Sequence, residues 1–425
     1  NKNMKRFLAI IMLLAMVLSM TACGGQTATA PEETPAAEEA PATEEAAETE
    51  AEVEEEAVVE EDTFVLPDPQ RYKDAFAKYA PDTPVMKMGE KEITWDEYFY
   101  YLYQQVYSLE NYIGVVKDWD QVFDSSTGTT YQQALIEYTN SNLALAAAVE
   151  AYANEEKLEL TEDDIKTLND SLATGVLNAV GAEYDSEEGK AFLEEQFLTP
   201  ELYVKIMAPQ LLLSNLFVEK YGENCEKVTD EQVEDYLEDN GYIRANHILV
   251  LTKDMATGED LSEEQIAEAK EKADKLYAEL KKVKGNEKLE AKFKELKEEN
   301  CEDSGKTAFP DGYVFKEGTM VTEFYETANS LELYGLSEPV KTAYGYHIIL
   351  RLPHDRTILL SDANATPDTM VANDDFTAIV EGYLKDQLPE YTEEFDMRDK
   401  REGDLEYANK LVKDSFDYLH ANGWV

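Results

Sequence analysis

Apolar residues recur at helical spacing through much of the chain beyond position 90. Tyr98, Tyr101, Leu102, Val106 and Leu109 share one helical face. Just before them, Thr94-Trp95-Asp96-Glu97 reads as a capping box, in which a Thr hydroxyl and a Glu carboxylate satisfy the first orphan N–H groups. The same spacing predicts helices over about 130–156, over 162–180 behind an N-cap at Thr161, and over 200–221 behind Thr199-Pro200. Pro209, inside the last of these, is expected to kink it. Thr229 with Gln232 opens a short helix that stops at Gly241, and PVMKMGEKEI, ahead of all of them, is strand-like. Residues 63–240 therefore predict an N-terminal helical domain.

At Tyr242 the pattern changes. IRANHILVL reads as a buried strand, and Ser262 with Gln265 caps a charged helix reaching about Lys282. A second helix covers about 287–299. A Gly/Pro/Asp loop then leads to the strand YVF, the helical VTEFYETANSL, and two strands around EPVKT and YHIILRL. Residues 241–354 thus predict a compact α+β unit. In 355–425, Phe376, Ile379, Val380, Tyr383 and Leu384 mark one helix, and Ala408, Leu411, Val412, Ser415 and Phe416 another. Neither stands alone, so each is expected to pack on a larger body.

Composition separates the start of the chain from the rest. Lys2, Lys5 and Arg6 precede an apolar run from Phe7 to about Met20. That run is shorter than the roughly 20 residues that span a bilayer, and residues 1–22 have the make-up of a secretory signal peptide. Cys23, between Met-Thr-Ala and two glycines, resembles the bacterial lipobox, which implies a diacylglycerol on its sulfur and attachment at the outer face of the cell membrane. The remainder of 23–62 is mostly Ala, Glu, Pro and Thr with no Lys or Arg, and is expected to be a disordered, extended acidic linker. The formal charge of −52 argues against nucleic acid and against docking on anionic lipid by charge. Cys225 and Cys301 stand among polar neighbours, so neither is expected to be buried, and a disulfide between them is allowed outside the cell.

Chemistry concentrates in the α+β unit. His247 and His347 lie on the strands at its two ends, His247 sharing a face with Leu249 and His347 with Ile349. Such a pair serves as a metal site, a catalytic pair or a hydrogen-bonded core pair. Metal is disfavoured, because neither His354 nor His420 is placed as a further ligand. Ser304-Gly305-Lys306-Thr307 lacks the first glycine of a phosphate loop, where Asn300 stands, so no nucleotide is expected. Acidic clusters such as Glu162-Asp163-Asp164 lack the spacing of a calcium loop and read as helix starts.

The ordered series His-Ile-Leu-Val, Gly-x-Met-Val-x-x-Phe, Ser-x-Pro-Val-x-Thr and Gly-Tyr-His-Ile-Ile, spread over 244–352, resembles the parvulin (PpiC-type) peptidyl-prolyl isomerases. The resemblance implies a four-stranded antiparallel sheet with helices and isomerisation of X–Pro bonds without a cofactor. It assigns the paired histidines to His247 and His347, with Thr342 joining their network. Asp303 takes the acidic active-site position, and Cys301 is then not the catalytic thiol. Met320 and Phe324 become the floor and wall of the proline pocket, with Phe315 also on the substrate side. Gly312 stands where a larger apolar residue lines the pocket in many members, and Tyr344 where a small residue is common. A lipid-anchored parvulin between helical segments resembles, in layout only, the PrsA-type foldases and SurA-like chaperones. That layout implies a chaperone-like domain built from 63–240 with 355–425 packed on it, and unfolded exported chains as partners. A homodimer is compatible with it. An ATP-independent holdase with an inactive parvulin module is the alternative reading. Tyr98, Tyr101, Tyr103, Tyr107, Met207 and Leu211–Leu213 either line a client cradle or, for the most part, form ordinary core.

Overall fold

The computed structural model describes residues 73, 75–77, 79–114 and 116–392. The expected signal peptide, Cys23, the acidic segment up to residue 62, His420 and the helix expected around 408–416 lie outside these residues. The chain forms two compact units: residues up to Ser214 together with those from Glu381 on, and Asn215–Val380.

In chain order, the hairpin β1 (Pro84–Met88) and β2 (Lys91–Thr94) leads into α1 (Trp95–Ile113). The short β3 (Val122–Asp124) and β4 (Thr129–Thr130) precede α2 (Tyr131–Glu156), α3 (Glu162–Val180), α4 (Glu187–Glu195) and α5 (Pro200–Tyr221). Then come α6 (Asp230–Asp239), β5 (Ile243–Leu251), α7 (Glu263–Leu280) and α8 (Asn286–Asn300). A single helical turn (Ser304–Lys306) is followed by β6 (Tyr313–Phe315), α9 (Thr322–Ser330), β7 (Val340–Lys341) and β8 (Gly345–Leu352). The last described elements are α10 (Pro367–Leu384) and β9 (Pro389–Tyr391).

Local chemistry starts several helices as expected. At Thr161, Thr229 and Ser262 the hydroxyl accepts from the backbone three residues on, and that residue's side chain accepts from the cap's own N–H. The same box at Thr130 opens α2. The box expected at Thr94 does not form. The Trp95 and Asp96 amides donate instead to Thr83 and Pro81 carbonyls, at 2.8 and 2.9 Å. Glu97, only 1% exposed, is drawn inward by Lys205 at 3.1 Å and Lys91 at 3.5 Å. A buried carboxylate needs paired charge more than a helix start needs a second cap.

In the first unit, β1 pairs with β2 on one side and β9 on the other, all antiparallel, so the helical unit also carries a three-stranded sheet. Its core gathers Met86, Met88, Ile93, Trp95, Tyr98, Phe99, Leu102, Val106, Leu143 and Phe197. Tyr98, Tyr103 and Leu213 are buried, whereas Tyr101 and Met207 are half-buried.

The second unit is built on an antiparallel sheet in the order β6-β5-β8-β7. Ile248, Val250, Ile348 and Leu350 pack with Ala273, Leu276 and Leu280 of α7 and Phe293 and Leu296 of α8. Ala245, Phe315 and Ile349 pack with Phe324 and Ala328 of α9. With both faces covered, β5 is buried along nearly its whole length, its polar Arg244, Asn246 and His247 included.

The two cysteines correct the sequence reading. Both are free thiols and both are buried, Cys225 at 5% and Cys301 at 2% exposure. Their polar neighbours, such as Glu226 and Glu302, point outward while the thiols point in. Cys301 Sγ accepts the Leu249 amide at 3.3 Å as the chain leaving α8 closes on β5.

Candidate active site

Antiparallel pairing of β5 with β8 sets His247 opposite Ile349 and Leu249 opposite His347. Opposed residues point to the same face, so both imidazoles come to one side of the sheet, with ring centroids 5.2 Å apart. Phe324 from α9 meets them edge-on, at 5.2 Å from His247 and 5.3 Å from His347. The Thr342 hydroxyl lies 2.9 Å from His347 Nε2 and accepts the Tyr344 amide at 3.1 Å. The Nδ1 atoms of both histidines are buried with no hydrogen-bond partner among the described residues.

Asp303 arrives from the loop after α8. The Glu302 amide donates to the Leu249 carbonyl at 2.9 Å, fastening the loop to β5. Asp303 then caps the turn at Ser304–Lys306 by accepting the Gly305 amide on Oδ1 at 3.1 Å. Its Oδ2 accepts the Tyr313 hydroxyl at 2.7 Å and lies 3.4 Å from His247 Nε2. Gly305 is required here: a Cβ would come within 2.1 Å of that hydroxyl.

Tyr313 is the residue the sequence reading missed. It shares the β6 face of Phe315, stacks on His247 at 5.7 Å and carries the Phe309 ring at 4.6 Å on its other flank. Alternation from Phe315 was the available signal. Phe315 itself has no exposed surface and lies 5.6 Å from Phe324. Met320 is half-buried against the same cluster, and Tyr344 stands on the rim with 43% exposure. Gly312 lies against the β5 backbone. With φ at +93°, a Cβ there would run into the Ala245 carbonyl at 2.6 Å.

The electrostatics of the cluster are polarised. Burial opposes ionisation of Asp303. The nearby His247 imidazole, the Tyr313 hydroxyl and the Gly305 amide outweigh it and hold the carboxyl well below the usual carboxylate range. Burial, with the Asp303 carboxylate adding to it, pushes the Tyr313 hydroxyl up and keeps it a donor. His347 is pushed down to about 3, chiefly by burial and further by His247, so it is neutral. Burial raises the Cys301 thiol and removes it as a nucleophile. Among the described residues, no group of three or more His, Cys, Asp or Glu is arranged to hold a metal ion.

Residues 247–352 match the rotamase family model, described as the PPIC-type PPIASE domain. This segment is a PPIC-type peptidyl-prolyl isomerase domain. The chain is similar to the foldase protein PrsA of Bacillus subtilis, 36% identical over 136 residues, which make up 32% of this chain and 38% of that protein. It is 26% identical over 240 residues to the foldase protein PrsA of Caldanaerobacter subterraneus subsp. tengcongensis, covering 51% of this chain and 77% of that one. The chain thus spans well under half of the Bacillus relative's length. Among solved structures, the crystal structure of PrsA from Bacillus subtilis aligns with 80% of this chain and 99% of that one, at 20% identity and a TM-score of 0.24. The PPIC-type segment contains His247, Asp303, Met320, Phe324, Thr342 and His347.

Proposed function

We propose that the protein is a peptidyl-prolyl cis-trans isomerase and foldase for newly exported polypeptides. It acts outside the cytoplasm, held at the membrane by a lipid on Cys23, with the segment before residue 63 as its tether. The observation that carries the catalytic part is the cluster of His247, His347, Thr342, Asp303 and Tyr313 over Phe324, within the PPIC-type domain.

The reaction asks for no bond to be broken. Resonance holds an X–Pro amide planar behind a barrier of roughly 18–20 kcal/mol, and uncatalysed exchange takes tens to hundreds of seconds. In the planar state the carbonyl oxygen carries partial negative charge and the nitrogen partial positive. At the twisted transition state both charges fade and the nitrogen recovers its lone pair. In this reading Phe324 and Met320 take the proline ring and exclude water, which otherwise favours the more polar planar state. Asp303, fixed as an anion by Tyr313 and Gly305, faces a carbonyl whose negative charge is greatest in the planar form. Repulsion is therefore relieved on twisting, which is binding that favours the transition state over the ground state. Neutral His347, held by Thr342, completes the polar wall without adding positive charge that would stabilise the planar carbonyl.

The test is a cis/trans assay on a short X–Pro peptide. The wild type is expected to speed exchange, and Asp303→Ala and His247→Ala to lose most of that rate. Suppression of client aggregation with no isomerisation by the wild type would leave only the holdase reading. Mass spectrometry of the mature N-terminus tests the lipid, and an unmodified Cys23 would remove it.

A further inference from the structure

One buried charge near this cluster has no part in the mechanism above. Lys297, near the end of α8, is only 2% exposed. Its ammonium donates to Asn246 Oδ1 at 2.7 Å and to the Phe309 carbonyl at 2.6 Å, and lies 6.0 Å from the centre of the Tyr313 ring. Both acceptors are neutral. Burying an ammonium on such partners is unfavourable, and an apolar side chain of the same length avoids that cost. The two acceptors show what the charge does in return. Asn246 Oδ1 also accepts the His247 amide at 3.0 Å, while Asn246 Nδ2 donates to the Pro310 carbonyl at 3.1 Å. Phe309 is the residue whose ring supports Tyr313.

We propose that Lys297 is a positioning residue for isomerisation, one arm fixing β5 at His247 through Asn246 and the other fixing the Asp303–Tyr313 loop through Phe309. The inference rests on the isomerase reading. Lys297 ties together the two chain segments whose relative position sets the approach of Asp303 to His247. Burial lowers the lysine's proton affinity, and it outweighs the opposing pull of nearby acidic groups that include Asp303 and Asp311. A displacement of about 1 Å between such segments is enough to cost on the order of a hundredfold in rate.

The test uses the full chain with Lys297→Met, which keeps the packing and removes the donors, and Lys297→Gln, which keeps N–H donors. For K297M, kcat toward an X–Pro peptide is expected to fall about tenfold or more, with KM changed by no more than about twofold. K297Q is expected to recover part of the loss. By NMR, the amide signals of His247 and Gly305, which report the two arms, are expected to shift in K297M while those of α7 stay in place. Wild-type kcat with both amides unmoved would overturn the proposal. If K297M does not fold, K297Q decides by the same two readings, intermediate values supporting the role and wild-type values removing it. A wild type without isomerase activity would end the isomerase reading, and the two amides would then decide alone whether Lys297 sets the geometry.

Discussion

A histidine enclosed by Phe324, His247 and the Thr342 hydroxyl has little to gain from a proton, and this gives His347 a thermodynamic signature. Its imidazole titrates at about 3 in the folded protein and near 6.5 in an unfolded chain. Below the higher value the unfolded chain takes up a proton that the folded one refuses. Stability from this group is therefore complete above about pH 6.5 and falls as pH drops toward 3, by up to about 1.4 kcal/mol per unit. The depressed Asp303 carboxyl acts lower, its stabilisation being lost only below the usual carboxylate range near 4. Urea unfolding between pH 8 and pH 4.5 is expected to show the decline, and His347→Gln to flatten it. An identical slope in the variant would refute the assignment. The histidine pair was legible in the sequence because period-two alternation on two strands needs no long-range information. Tyr313 was not, because an aromatic residue in an aromatic strand reads as packing. Its use depends on a glycine, Gly305, that clears space for its hydroxyl. Phe315 came from the resemblance alone, which does not register that its side chain has no exposed surface.

The loop between α8 and β6 shows how one element serves fold and site at different points. Gly312 holds a left-handed conformation against the β5 backbone, so Gly312→Ala is expected to lower stability by about 1–3 kcal/mol. Gly305 is under no such backbone constraint, but its Cβ would displace the Tyr313 hydroxyl from Asp303. Gly305→Ala is therefore expected to reduce kcat while lowering the melting temperature less than Gly312→Ala does. Thermal melts and peptide assays on the two variants make the comparison, and the reverse ranking would contradict it. The helix starts at Thr161, Thr229 and Ser262 were readable because their partners lie three residues away. The one at Thr94 was not, because Lys205, 111 residues further on, donates to its hydroxyl and pairs with Glu97.

At the scale of the molecule, Asn215–Val380 carries the whole PPIC-type segment and its own core. A fragment of these residues is expected to fold cooperatively and to keep most of the peptide isomerase rate, measured by circular dichroism and the same assay. A molten or inactive fragment would show that the first unit is needed for the catalytic fold. The change of texture at Tyr242 marked where the mixed sheet begins. The division between compact units falls instead inside α5 and α10, where helical periodicity runs on without a signal. The third strand of the first unit's sheet has a further implication. Met86 pairs with Tyr391, so β1 waits for a partner about 300 residues downstream. In a chain delivered N-terminus first, the Asn215–Val380 unit has all its residues before that partner appears. The order of emergence thus lets the unit that holds the PPIC-type segment mature first, and the sheet of the first unit closes only once residues 389–391 have appeared.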